Sequence, residues 1–127
     1  MAFAYPAKTV RDYLTPRMGG VRVLTDVPES RPARFVSIDS VPVSASHSGV
    51  KARVLSRRRL LIYCWGTDEL DAAQMAETAR DLLLQSPYAR VGIRRVNIVG
   101  EPARRDDPTS GARRSLVTVD VLVRATT

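Results

Sequence analysis

The one imidazole of the chain, His47, lies in the run Ser44-Ala45-Ser46-His47-Ser48, and a hydroxyl beside an imidazole is the raw material of nucleophilic catalysis. That chemistry needs a base held against its nucleophile by folded structure and oriented by a third, acidic group. Neighbours within one short polar loop meet neither condition, so a solvated loop histidine is the better reading. Asp106 and Asp107 lie between Arg105 and Pro108 with no further ligands nearby, and acids in such turns commonly bond adjacent backbone amides. Gly19-Gly20 suits the end of a helix rather than a phosphate cradle, because neither GxGxxG nor GxxxxGK followed by Ser or Thr surrounds it. Cys64, the single cysteine, sits in an apolar run where a free thiol behaves as a small buried hydrophobe. One His and one Cys do not suggest a zinc site. No catalytic residue, cofactor or metal is expected.

Arginine is the side chain left to carry function. The chain has eighteen Arg and two Lys against thirteen acids, a net charge of +7, and guanidinium serves both interface ion pairs and phosphate contacts. The clusters are Arg57-Arg58-Arg59, Arg94-Arg95, and the pairs Arg104-Arg105 and Arg113-Arg114 that flank one turn. Recognition of single strands or bases usually adds aromatic stacking platforms. The aromatic residues Phe3, Tyr5, Tyr13, Phe35, Tyr63, Trp65 and Tyr88 are not interleaved with these clusters along the chain. Solvated faces and ion pairs between subunits are therefore favoured over nucleic-acid contact, which is expected to be non-specific at most.

With 127 residues, 44% hydrophobic and 26% charged, the chain is expected to fold as one domain, 1–127, with its own core. No run approaches the roughly 18–20 apolar residues of a membrane-spanning helix, and no secretory signal is visible at the start. A chain that folds inside a cell is expected.

The elements that must position the arginines follow from local pattern. Pro6 to Met18 predicts a short amphipathic helix, with Val10 and Leu14 one turn apart and Gly19-Gly20 as its stop. Val21 to Asp26 alternates as a half-buried strand, and Pro28 and Pro32 mark a fixed loop. Arg34 to Val43 is a second strand, with Phe35, Ser37 and Asp39 on one face and Val36, Ile38 and Ser40 on the other. Ser44 to Ser56 is expected to be a mobile loop. Arg57 to Trp65, RRRLLIYCW, is expected to be a central strand covered on both faces. Asp68 to Gln85 predicts the long helix, capped in the Gly66-Thr67-Asp68 region, with Ala72, Met75, Ala76, Ala79, Leu82 and Leu83 as its apolar stripe. Val91–Val99 and Leu116–Arg124 are two further strands joined by EPARRDDPTSGARRS, an exposed hairpin tip. Helices set apart from hairpin-linked strands define an α+β domain: a mostly antiparallel sheet, a short N-terminal helix, and one long helix packed on one face. The other face must be solvated or meet another subunit.

Taken in order, these segments resemble a known family. VRDYL is followed by VRVLTDVPESRPARFVSI, a basic strand ending in YCW, the helix ELDAAQMAETARDLLL, and DDPTSGARR before a valine strand ending VLVR. The string is similar to the tail terminators, or tail completion proteins, of long-tailed phages infecting actinobacteria, from Val10 to Arg124. Its more specific parts are Pro28, Arg31-Pro32-Ala33-Arg34-Phe35, Trp65 just before the long helix, and DPTSG before the last strand. The SASHSG segment departs from the tighter glycine turn of that pattern, and the RRR start of the central strand is more basic.

The resemblance implies a structural virion protein and no enzyme. It implies a homohexameric ring that caps the completed tail tube, stops its polymerisation and joins it to the head connector. The partners would be the major tail tube protein, the head-tail connector or stopper protein, and the tape measure protein in the lumen. The location would be the head-proximal end of the tail, after assembly in the host cytoplasm. Under this reading the interface candidates are Arg31 and Arg34 at a sheet edge, Lys51, Arg53, Arg57, Arg58 and Arg59 in and after the SASHSG loop, and Arg104, Arg105, Arg113 and Arg114 at the hairpin tip. A head-side stopper and a basic nucleic-acid-binding module are the competing readings.

Overall fold

One 13-residue strand organises the sheet. In the computed structural model, which describes residues 2–3, 5–27, 29–30, 32–41 and 55–126, this strand, Arg114–Thr126, pairs from Arg114 to Arg124 with the whole of Leu55–Trp65. In chain order the strands are β1 (Ala2–Phe3), β2 (Arg22–Leu24), β3 (Phe35–Val41), β4 (Leu55–Trp65), β5 (Ile93–Ile98), β6 (Ala103–Arg104) and β7 (Arg114–Thr126). The helices are α1 (Pro6–Leu14), which runs into a 3-10 turn at Thr15–Arg17, and α2 (Glu69–Gln85), which runs into another at Ser86–Ala89. The architecture is α+β.

The sheet order is β2-β3-β4-β7, and the far edge of β7 is shared end to end by β6, β5 and β1. Every pairing is antiparallel except β2 with β3, which run parallel. The very short β1 and β6, absent from the sequence expectation, exist because β7 outruns β5 and leaves backbone groups at both ends to be paired.

Alternation along β7 sets the faces. Val117, Val119, Val121 and Val123 point to one side and meet Ile62, Leu60, Ile38, Val36 and Cys64, all 5% exposed or less. Met75, Ala76, Ala79 and Leu83 of α2 and Ala7, Val10 and Leu14 of α1 close over them as one core, and Ala72 is buried against Gly66. Leu82, expected in the stripe, is half-buried at its margin, where its carbonyl accepts the Tyr13 hydroxyl and joins the two helices. Asp68 caps α2: its Oδ1 accepts the Asp71 amide at 2.8 Å. Gly19 and Gly20, both at positive φ (64° and 87°), turn the chain from the first helical segment toward β2.

Both helices share one side, which corrects the expectation of a β4 covered on both faces. Leu60, Ile62 and Cys64 are sealed, but Leu61 and Tyr63 on the opposite face are half-buried, and no described helix packs there. A continuous apolar run looks alike whether one face or two are covered, because half-exposed Leu and Tyr are tolerated on a sheet. The SASHSG loop with its His47 falls outside the described residues.

Candidate functional site

Where β4 ends and α2 begins, the uncovered sheet face carries an aromatic and arginine cluster. Phe35 and Trp65 are register partners on β3 and β4, and their rings stack at 4.9 Å with 15° between planes. The Trp65 indole N–H donates to Ser37 Oγ at 2.9 Å, which satisfies a donor on a ring only 5% exposed. Arg114, opposite Trp65 on β7, lays its guanidinium 4.1 Å from the Tyr63 ring centre and 4.9 Å from that of Trp65. Its Nε donates to the Arg105 carbonyl at 2.7 Å. Tertiary structure thus interleaves an arginine with two aromatic rings, an arrangement that the order of residues along the chain conceals.

The hairpin tip folds down beside this cluster. Asp107 accepts from the amide and hydroxyl of Ser110, its own N–H donates to the Ala112 carbonyl at 2.9 Å, and Gly111 at φ 71° completes the turn. The Ser110 bonds hold the Asp107 carboxyl below the usual carboxylate range. Asp106 does more than the backbone bonding expected of it. Arg104 reaches it at 2.8 Å and Arg113 at 3.2 Å, and Arg104 also reaches Glu69, on the first turn of α2, at 2.9 Å. The Arg104 bond keeps the Asp106 carboxyl low. The Gly66 amide donates to the Arg113 carbonyl at 3.0 Å, so the tip is tied to the strand-to-helix junction by backbone as well as charge.

Arg34 joins the same junction. It forms a two-pronged pair with Asp71, both bonds 2.9 Å, and Asp71 also accepts the Thr67 amide at 3.0 Å. Arg34 first and Thr67 second hold the Asp71 carboxyl low. A shallow cleft of about 190 Å³ results, walled by Pro32 and Phe35, by Trp65 and Gly66, and by Ser110 and Arg113 of the tip.

The interface candidates therefore separate into groups. Arg34, Arg104, Arg113 and Arg114 gather at this junction, each engaged by a partner within the chain. Arg105 is exposed on the tip. Arg59 lies further along the same sheet face and grips the buried Asp120, its register partner, at 2.7 and 3.0 Å. Arg57 is half-buried opposite Leu122, and Arg58 is exposed with its Nε on Ser56 Oγ at 2.7 Å. Arg31, Lys51 and Arg53 lie outside the described residues. The pairings were missed because nothing local marks which acid, up to 61 residues away, an arginine will meet.

Among the described residues no group of three or more His, Cys, Asp or Glu side chains is placed to hold a metal ion, and no helix is long and apolar enough to cross a membrane. A wider groove of about 630 Å³ between α1 and β2 is lined by Arg11, Asp12 and Asp26, and Arg11 and Asp12 pair with each other at 3.2 Å. At the junction the charges are matched within the chain, Arg34 with Asp71 and both Arg104 and Arg113 with Asp106. Comparison with protein-family models and with curated proteins finds no match.

Proposed function

We propose that the chain is a tail terminator of a long-tailed phage, a non-enzymatic protein that acts as a homohexameric ring on the finished tail tube. One observation carries this reading beyond the order of residues. Of the four parts that make the resemblance specific, Pro28 lies outside the described residues, and the other three, Arg31-Pro32-Ala33-Arg34-Phe35, Trp65, and Asp107-Pro108-Thr109-Ser110-Gly111, contribute Pro32, Phe35, Trp65 and Ser110 to the walls of one cleft. Residues this distant in sequence and this particular in type make one rigid feature, as a surface built to meet a fixed neighbour requires. The sheet face beside it, with Leu61, Tyr63, Leu116 and Leu122 half-buried and both helices on the other side, offers further surface for an adjoining subunit or the tube. The head-side connector or stopper protein would meet the ring on its opposite rim, and tape measure protein would occupy its lumen.

The test is electron microscopy of particles assembled with and without this protein. A terminator predicts overlong, uncapped tails beside detached, filled heads, restored to normal by complementation. Tails of normal length beside heads that have lost their DNA would establish a head-side stopper instead, and normal virions would overturn both.

A further inference from the structure

The arginines divide between two ends of the sheet in a way that net charge does not reveal. At the junction with α2, Arg34, Arg104 and Arg113 are matched to Asp71, Glu69 and Asp106. At the opposite end the turn before β5, β5 itself and the last residues of β7 bring together Arg90, Arg94, Arg95 and Arg124, all exposed. Register fixes this grouping: Ile93 faces Val123, Arg95 faces Leu122, and the Arg124 amide donates to the Gly92 carbonyl at 3.1 Å. A bulge between Ile93 and Arg95 sets two consecutive arginines on an edge strand that pairs only with β7. No Asp or Glu occurs in 55–58, 90–95 or 121–125, nor in β1, which pairs with the last residues of β7, and none of the four arginines has an ion pair among the described residues.

We infer that this end of the sheet is a contact for the phosphodiester backbone of double-stranded nucleic acid, read without regard to sequence. Arginine is suited to phosphate oxygens, and four uncompensated guanidiniums on a rigid edge give a local field that the paired junction lacks. Leu122 and Arg124 are two residues apart on one strand, about 7 Å, a distance over which a duplex presents about four phosphate charges. No aromatic side chain lies in 55–58, 90–95 or 121–125, and guanidiniums alone are matched to the backbone; tighter binding of a single-stranded oligonucleotide than of the duplex, by stacking on the exposed Tyr88 two residues before Arg90, would overturn the duplex assignment. The inference stands apart from the ring reading and is tested apart from it.

The measurement is fluorescence anisotropy of a labelled duplex of arbitrary sequence, titrated with the full chain across salt concentrations. Four phosphate contacts give a slope of log K against log salt of about −3.6, so affinity falls about 150-fold between roughly 50 and 200 mM salt. Arg94→Ala with Arg95→Ala is expected to flatten the slope to about −1.8, a fall of only about 12-fold over that range. Arg22→Ala with Lys8→Ala removes the same charge from exposed positions on β2 and α1, and is expected to leave the slope unchanged. Equal flattening by both double variants, or a parent slope shallower than about −1, would overturn the inference. So would loss of poly-glutamate binding in R94A/R95A with duplex binding intact, which would assign the surface to an acidic protein. Circular dichroism checks the fold; should R94A/R95A unfold, Arg90→Gly with Arg124→Ala repeats the test, since glycine accepts the positive φ of 56° at position 90.

Discussion

Replacing Gly66 by alanine is expected to destabilise the protein by about 2–3 kcal/mol, the upper part of the range for overpacking a tight site. Gly66 has no positive φ to protect; its constraint is space. A Cβ there would stand 2.4 Å from the Ala72 backbone nitrogen, 2.8 Å from its Cα and 3.0 Å from its Cβ. Comfortable carbon contacts begin near about 3.5 Å, so one side must retreat by about 1 Å. Ala72 has little room to do so: it is 1% exposed in the core, and its N–H donates to the Asp68 carbonyl at 3.1 Å in the first turn of α2. Gly66 is held in turn by its bond to the Arg113 carbonyl. For a domain of this length the cost corresponds to a fall in Tm of about 8–12 °C. Urea and thermal unfolding, followed by circular dichroism and by the emission of Trp65 next door, measure it. Two companions separate the steric cause from others. Gly111→Ala, at φ 71° with nothing within 4 Å of a new Cβ, should cost only the left-handed backbone penalty of about 1–2 kcal/mol. Adding Ala72→Gly to Gly66→Ala should recover little, because two of the three close contacts are to backbone. A Gly66→Ala protein within about 0.5 kcal/mol of the parent, or full rescue by Ala72→Gly, would refute the close approach of strand end and helix start.

Other expectations rest on the same region. Ser37→Ala leaves the buried Trp65 indole N–H without its acceptor and should cost about 1–3 kcal/mol, with a shift in Trp65 emission; an unchanged urea midpoint would refute the bond. Asp71, Asp106 and Asp107 each sit below their ordinary value of 3.8 in the folded chain, so the unfolded chain binds more protons as pH falls. Their contribution is full above about pH 5 and is lost as pH drops through the folded values; Asp71→Asn should narrow the gap in urea midpoint between about pH 6 and pH 3, and an unaltered gap would count against the Arg34 pair. Burial pushes the Cys64 thiol up to about 12, so iodoacetamide at about pH 8 should leave the native chain untouched and label the urea-unfolded chain; rapid native labelling would place Cys64 outside the core.

The elements were largely legible from local pattern because each buries one face, and one-sided burial writes its period into the chain. Val117 to Val123 alternate in sequence and alternate in burial; Ala72, Met75, Ala76, Ala79 and Leu83 form the buried stripe of α2; Asp68 is its cap. Boundaries moved by a few residues, and β7 proved longer than Leu116–Arg124 because pairing with β4 carries it to Arg114 and to β1 at its far end. Hidden from pattern were the two-residue strands β1 and β6, which have no period at all, and the parallel pairing of β2 with β3.

The candidate site was legible only as a set of residue types. That arginine would dominate, that Cys64 would be buried, and that the DDPTSG segment would turn could be read from composition and turn chemistry. Which arginines are matched and which are bare could not. Arg59 meets Asp120, Arg34 meets Asp71 and Arg104 meets Glu69 across 61, 37 and 35 residues, while Arg94 and Arg95, set aside as one cluster among several, share an acid-free end with Arg90 and Arg124. Local sequence determines what each residue prefers and which face of its element is apolar. The register of β4 against β7 and the docking of α2 determine which charges meet, because Coulomb and hydrogen-bond energies depend on separations of a few ångströms that exist only once the chain is folded.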